Sequence, residues 1–589
     1  MPFPNQSPGR SAPRTTSISN SEKFSKFAVR YSVLNRNIFS MAVTLFLLVA
    51  AIVIVLCVIL NNVSNKIGIP MLLAFILLGM AFGSDGVVKI AFDNFDVTET
   101  ICSVALIFIM FYGGFGTRWK EARPVVVKAG ILSTLGVAMT AGLTGLFCHY
   151  VLKMPAAFGF LIGAVLSSTD AASVFSILRS RKLGLKYNTA SLLEIESGSN
   201  DPCSYMLTVI MMAVIEGTTS GGRIAYMIFA QIAYGAAIGA VIAVATVWLM
   251  KHFRSSTAGF DTLFILAVAI FSYAIPNLVG GNGYLSAYIV GIVLGNANIR
   301  GKKSLVPFFD GLTNLMQIII FFLLGLLSFP SQLPSIAVPA ILIALFMTIV
   351  ARPLSVFAIM APFKSRWRQQ VLVSFVGLRG AASVVFAIMA MPAAQQLTGN
   401  QHDLFNIVLM IVLLSISLQG SLIPAVARSL KMTSSEEDIL KTFTDYSDNM
   451  DVSFVQMDIS EKDSWNGKVI KDLPIPHDTL VAAILRDGKA IIPSGRTKIL
   501  PGDKVIMSAR DFEDENIMQL SERRIERGSE WIGKKVFQYS PDSNELIVLI
   551  KRGNRAIIPR GNTVIHKNDV MVINKIRRES LQTDPAPKQ

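Results

Sequence analysis

Charged residues are scarce in this chain. They make up 16% of 589 positions, against 52% hydrophobic residues, and the mean hydropathy is +0.53. Ordinary soluble domains carry about 25% charged residues, so a soluble globular protein is excluded. Cysteines are few: Cys57, Cys102, Cys148 and Cys203 lie in or beside apolar segments. They follow neither a disulfide framework nor a zinc spacing and read as packing residues. No Gly-x-Gly-x-x-Gly follows a strand-like run, which argues against a dinucleotide-binding domain. No Thr-Val-Gly-Tyr-Gly stretch supplies the carbonyl filter that a potassium channel needs. No nucleophile–base set or metal cluster stands out, so an enzyme is the weakest reading and no cofactor is expected.

Long apolar runs are abundant. Residues 41–430 contain about thirteen of them, each near the ~20 residues that cross a bilayer as a helix. The first is too long for the core of a cleaved signal peptide. The formal charge of +15 follows the positive-inside rule rather than marking a nucleic-acid binder. One set of alternate loops holds Lys120, Arg123, Arg179, Arg181, Lys186, Lys251, Lys302 and Arg366, whereas the opposite set holds only Lys89, Lys153 and Arg223. The first set, and the C-terminal region with it, is assigned to the cytoplasm of a cell-membrane protein. An odd number of spans puts the N-terminus outside, against the basic residues of the tail. Residues 1–40, rich in Ser, Asn and Arg, read as disordered.

The informative stretch is Ser167-Ser168-Thr169-Asp170, followed on the next span by Glu196-Ser197-Gly198-Ser199-Asn200-Asp201. A charge at the bilayer centre costs about 2.5–3.5 kcal/mol on insertion scales. Polar glue between helices explains one such residue; several in adjacent spans point to an ion or proton pathway. The fifth span is broken at residues 167–170, and the twelfth at Gly377-Leu378-Arg379-Gly380. With the seventh span as a linker, the breaks fall at equivalent places in two halves of opposite direction. That is the inverted-repeat pattern of secondary transporters. Asp170 and Arg379 are expected to compensate the partial charges of the helix ends at the breaks.

Asp201 is the candidate coupling residue. Burial disfavours a charged carboxylate, so one in a low-dielectric cavity can exchange a proton for a cation. Ser197 lies one turn earlier on the same helix face. Its hydroxyl, with Thr169 and Asp170 of the neighbouring break, can offer oxygens to a monovalent cation. Asn200 is an amide that does not titrate, which favours one-for-one electroneutral exchange. Glu196 and Arg379 are expected to form a buried pair. Glu194 lies seven residues before Asp201, facing the same way or snorkelling to the cytoplasmic end. Arg352 in the eleventh span is taken as a structural cation.

Thr169-Asp170, Glu196-Ser197-x-x-Asn200-Asp201 and Gly377-Leu378-Arg379-Gly380 resemble the NhaP branch of monovalent cation/proton antiporters over roughly residues 40–430. The resemblance implies a homodimer, and a moving core made of spans four to six and eleven to thirteen. It implies exchange of potassium or sodium for protons, with Asp201 binding the ion, Thr169, Asp170 and Ser197 as its neighbours, and Glu196–Arg379 as a structural bridge. The chain departs at one position: relatives often carry an acid in the third span just after a Phe, and here Phe111 is followed by Tyr112.

Past residue 430 the composition turns polar and an internal repeat appears. Trp465-Asn466-Gly467-Lys468 recurs as Trp531-Ile532-Gly533-Lys534, and Ala490-Ile491-Ile492-Pro493 as Ala556-Ile557-Ile558-Pro559, with Asp503 recurring as Asp569. Matching the glycines implies one inserted residue between Gly553 and Ala556. Each copy is expected to be a small α+β unit, its strands closing on one or two helices. Each resembles the TrkA-C (RCK-C) regulatory module of potassium transport proteins. That resemblance implies regulation and leaves open a small-molecule regulator, cyclic di-AMP or another nucleotide. The expected organisation is thus an all-α polytopic membrane domain with inverted repeats and two broken helices over 41–430, followed by a linker over 431–450. Tandem modules follow over 451–512 and 513–576, then a tail over 577–589. A ligand-gated potassium channel or efflux system with RCK-type gating is the alternative.

Overall fold

The computed structural model describes residues 44–60, 71–434 and 452–575, apart from 46, 181–182, 253–258, 300, 401, 462, 477–478, 487–488, 511–518, 539–544 and 554. Both expected tails, and most of the expected linker, lie outside the described residues. The chain divides into two compact units, Met1–Asp448 and Asn449–Gln589.

The first unit is helical because a chain in lipid must satisfy its own backbone groups. Its helices are α1 (Leu47–Leu60), α2 (Met71–Phe82), α3 (Phe95–Gly116), α4 (Val126–Tyr150), α5 (Ala156–Leu166), α6 (Ala171–Ser180), α7 (Thr189–Ile215), α8 (Gly221–His252), α9 (Phe260–Leu278), α10 (Gly283–Asn296), α11 (Lys302–Leu326), α12 (Pro330–Met360), α13 (Trp367–Phe375), α14 (Ala381–Thr398) and α15 (Asp403–Ser429). Eight of the described helices are long and apolar enough to cross a membrane. The rest of the expected count of about thirteen therefore rests on short, interrupted or polar segments. The pairs α5/α6 and α13/α14 are the two interrupted spans.

Small residues let the helices approach closely. A Cβ on Gly114 would strike the carbonyl of Tyr288, and one on Gly291 would strike that of Phe111, so α3 and α10 meet backbone to backbone. Among the described residues three helices loosen into a single π-turn: α4 at Leu132–Gly136, α12 at Met347–Ala351 and α15 at Ser415–Gln419. Such turns are rare and collect at functional sites. The first two fall in spans four and eleven, seven apart, like the two breaks.

The buried apolar side chains divide unequally across the membrane. Towards the ends assigned to the outside they form one continuous cluster drawn from α1–α5, α10–α12, α14 and α15. Towards the cytoplasmic ends they form two separate clusters. One joins α4, α6, α7, α12, α13 and α15, which are spans four to six and eleven to thirteen. The other joins α3 and α8–α11. The unit is knitted together on the outer side and split on the cytoplasmic side.

Two short strands close the split's first group. Strand β1 (Gly184–Leu185), between α6 and α7, pairs antiparallel with β2 (Thr433–Ser434), just past α15. Residues 433–434 therefore belong to the membrane unit and not to a free linker, contrary to expectation.

The second unit holds two four-stranded antiparallel sheets of the same topology. In the first, β3 (Val452–Asp458), β6 (Lys504–Arg510), β4 (Thr479–Arg486) and β5 (Lys489–Ile491) lie side by side in that order. In the second, β7 (Gln519–Arg524), β10 (Val570–Lys575), β8 (Glu545–Arg552) and β9 (Arg555–Ile557) do the same. Arg486 pairs with Lys489 and Arg552 with Arg555, which leaves two residues in each hairpin loop. The inserted residue expected from the glycines is absent; the glycine has moved one place instead. Among the described residues the helical part of each copy is one 3₁₀ turn, Ile470–Asp472 or Val536–Gln538. The connections around them are too rich in turn-forming residues to hold the one or two helices expected.

Candidate ion-binding site

The first break begins where Ser167 turns its hydroxyl back to the Ala164 carbonyl at 2.7 Å. Backbone that leaves a helix inside a membrane must find partners elsewhere, and the polar face of α7 supplies them. Asn200 Nδ2 donates to Thr169 Oγ1 at 2.5 Å, and Asn200 Oδ1 accepts from Thr169 N at 3.3 Å. The Ser197 hydroxyl donates to the Thr169 carbonyl. Ser204 donates to the Ala164 carbonyl at 2.7 Å. Asp201 accepts a hydrogen bond from Ser168 and is 7% exposed. Residues 197, 200, 201 and 204 recur at helical spacing, so one face of α7 holds the break and carries the carboxylate.

The second break meets the first. Asp170 N donates to the Leu378 carbonyl at 2.8 Å. Asp170 caps α6, accepting from Ser173 N at 3.2 Å and from Ser173 Oγ at 2.5 Å. A Cβ on Gly380 would run into the Asp170 carboxylate, so this anion also abuts the start of α14. Two positive helix N-termini thus share one carboxylate. Arg379 serves the opposite ends. Its guanidinium donates to the carbonyls of Leu166 and Ser168, the latter at 2.8 Å, where α5 stops. Its backbone N–H donates to Ser415 Oγ at 3.1 Å. Ser415 donates to Gln419 Oε1 at 2.9 Å, and Gln419 donates to the Phe375 carbonyl at the end of α13. The π-turn in α15 thus holds the second break as α7 holds the first.

The bridge expected between Glu196 and Arg379 is made by a different cation. Glu196 pairs with Arg352, and the two side chains are 1% and 3% exposed. Arg352 follows the π-turn in α12 directly. A Cβ on Gly377 would lie 3.0 Å from its Nε, so the second break leaves room for this guanidinium. Arg379 is occupied by carbonyls. Glu194 is half-buried, two turns before Asp201 on α7.

Among the residues of the site, Ser168, Ser173, Ser204, Ser415 and Gln419 were not singled out from sequence. Ser168 stood inside the quoted stretch; Ser415 and Gln419 are a polar pair four apart in an apolar span. Tyr112, the departure in the third span, points its hydroxyl at Asp310 on α11, with Oη to Oδ1 at 3.5 Å. The chemistry on offer is the Asp201 carboxylate, with that of Asp170 nearby, among hydroxyls, an amide and loosened carbonyls, at the split between two helix groups.

Similarity to known proteins agrees with this architecture. The transmembrane sodium/hydrogen exchanger family matches residues 51–429, and the TrkA-C domain matches residues 454–511 and 520–573. The chain belongs to the sodium/hydrogen exchanger family. The K(+)/H(+) antiporter NhaP of Alkalimonas amylolytica is 35% identical over 77% of this chain and 79% of its own length. The K(+)/H(+) antiporter NhaP2 of Shewanella sp. strain ANA-3 is 34% identical over 78% and 80%. The structure of the sodium proton antiporter MjNhaP1 from Methanocaldococcus jannaschii at pH 8 superposes with a TM-score of 0.57 at 23% identity, covering 64% of this chain and 97% of that one; it speaks for the fold.

Proposed function

We propose that this chain exchanges a monovalent cation for protons across the cell membrane, one for one. Asp201 holds the proton and the cation in turn. The observation that carries the reading is the buried Asp201 carboxylate beside Ser168, facing a break whose backbone is held by Ser197 and Asn200. Burial favours the neutral, protonated side chain, and a cation restores the balance when the proton leaves. Thr169, Ser197 and Asp170 add oxygens around it. Potassium is the first candidate and sodium the second. Two relatives are named as K(+)/H(+) antiporters.

Exchange needs access from one side at a time. Two apolar clusters on the cytoplasmic side and one on the outer side support a state open to the cytoplasm. The tandem modules regulate this exchange from the cytoplasm, with cyclic di-AMP or another nucleotide as the class of ligand to try first. The working unit is a homodimer.

Everted vesicles carrying a pH gradient test this. Addition of potassium should collapse the gradient at lower concentration than sodium. Asp201→Asn should abolish the response to both while the protein still inserts. Persistent exchange in that variant would remove Asp201 from its role. Removing residues 449–589 should change the ion or pH response, and an unaltered response would leave the modules without a regulatory part.

A further inference from the structure

Tyr288 stands at the split between the two helix groups. It belongs to α10, which packs with α3 and α8–α9, and it faces α7 of the other group. It is 3% exposed. Its ring lies over Gly198: a Cβ there would come within 2.8 Å of the hydroxyl oxygen. The hydroxyl is buried and makes no well-aligned hydrogen bond among the described residues, although it interacts with the side chains of Ser199 and Thr117. On α7, Gly198 is flanked by Ser197 and Ser199, with Glu194 one turn before it and Asp201 nearly one turn after. Pro202 has no N–H, so the Gly198 carbonyl also loses its usual intrahelical donor. A buried hydroxyl without a well-aligned partner is costly. Such a group persists where another state of the molecule satisfies it.

Resting on the cation/proton reading above, we propose that Tyr288 is a cation-positioning residue. Its hydroxyl, carried by the helix group opposite Asp201, contributes an oxygen to the monovalent cation as it passes along α7 between Glu194 and Asp201. The first break supplies oxygens from one side only: Ser168, Thr169, Asp170 and Ser197 all lie in the group containing α6 and α7. Tyr288 supplies the opposite wall. Gly198 makes this approach possible, because any side chain there would displace the ring. The hydroxyl is neutral, so it adds affinity without adding a titratable charge and leaves the one-for-one exchange intact.

Tyr288→Phe removes one oxygen and keeps the ring on Gly198. In everted vesicles of the full chain, the potassium concentration giving half-maximal exchange should rise about five- to tenfold. The maximal rate should stay within about twofold. Proton and cation compete for Asp201, so a weaker cation needs a more alkaline medium. The acid limb of activity at fixed potassium should therefore move up by about 0.7–1 pH unit, the logarithm of the affinity change. A purely structural tyrosine moves neither the half-saturating concentration nor the acid limb. Unchanged affinity in Tyr288→Phe overturns the proposal, and so does an equal loss of rate and protein amount. If Asp201→Asn silences exchange while Tyr288→Phe does nothing, this inference alone fails. If Asp201→Asn keeps exchanging, the underlying reading fails first.

Discussion

The two interrupted spans touch, yet they are built differently. The first break is polar in its side chains, Ser-Ser-Thr-Asp, and takes its support from α7, the helix that bears Asp201. The second is glycine-flanked, and its one polar side chain, Arg379, reaches across to the carbonyls of the first. Asp170 answers in the other direction by lying against the N-termini of α6 and α14. Each break therefore supplies the charge that the other's helix ends lack. An inverted repeat gives equivalent positions but not equivalent chemistry: one half presents oxygens, and the other holds them in place with a cation and with missing side chains at Gly377 and Gly380, whose room Arg352 and Asp170 take.

The strongest way to break this comparison is to remove the cation that the second half contributes. Arg379→Ala leaves two carbonyls unpaired within the membrane, where each unsatisfied group costs several kcal/mol. Folded protein recovered from the membrane, read as a monodisperse peak and a melting transition, should be almost lost. Arg379→Lys keeps the charge but not the planar fork, so it should restore part of the yield. Full recovery in Arg379→Ala would show that the break needs no such cap.

A smaller effect is expected at the pair beside it. Glu196→Gln or Arg352→Gln strands a buried partner and should cost about 3–5 kcal/mol. The double variant removes both charges and should recover most of the melting temperature. Combining Glu196→Gln with Arg379→Gln should bring no recovery. Recovery in that second combination, and not the first, would return Arg379 to the role of bridge.

That contrast also shows what the sequence could say. Polar residues in an apolar run are expensive, so both breaks, Asp201 and its neighbours on α7 are legible from residue type and helical spacing. Periodicity tells which residues share a face of one helix. It does not tell which neighbouring helix that face meets, and Glu196 had two buried arginines to choose between. The π-turn that sets the rotation of Arg352 leaves no mark in hydropathy. The β1–β2 pair joins segments some 250 residues apart through two residues each, and no local signal marks it. Tyr288 looked like any aromatic residue in an apolar helix; only the missing side chain at Gly198, in another span, gives it meaning.

The same ionic chemistry recurs outside the membrane, where solvent changes its worth. In the first module Arg486 grips Asp503 with two bonds of 2.8 Å, and Leu500 N donates to the same carboxylate at 2.8 Å. In the second module Arg552 and His566 N repeat this on Asp569 at 2.8 Å. The Arg486 hydrogen bond holds the Asp503 carboxyl below its ordinary range against its burial, with the Leu500 N–H adding to it. At Asp569 burial pushes upward, and Arg552 with the His566 N–H outweighs it. A carboxyl lowered in the folded state contributes stability that is complete above its ordinary value, about 3.9. That stability is lost as the pH falls through the lowered value. The arginines are about one-third exposed, so water shares the load and Arg486→Ala should cost about 2 kcal/mol, less than breaking the pair in the membrane. Hydrogen exchange of β6 in the full chain, corrected for intrinsic rates, reads this directly. Protection should fall in Arg486→Ala at neutral pH, and should begin to fall in the native chain only below the ordinary carboxylate range. Equal protection in both at neutral pH would mean that the clamp, although built twice, holds neither sheet together.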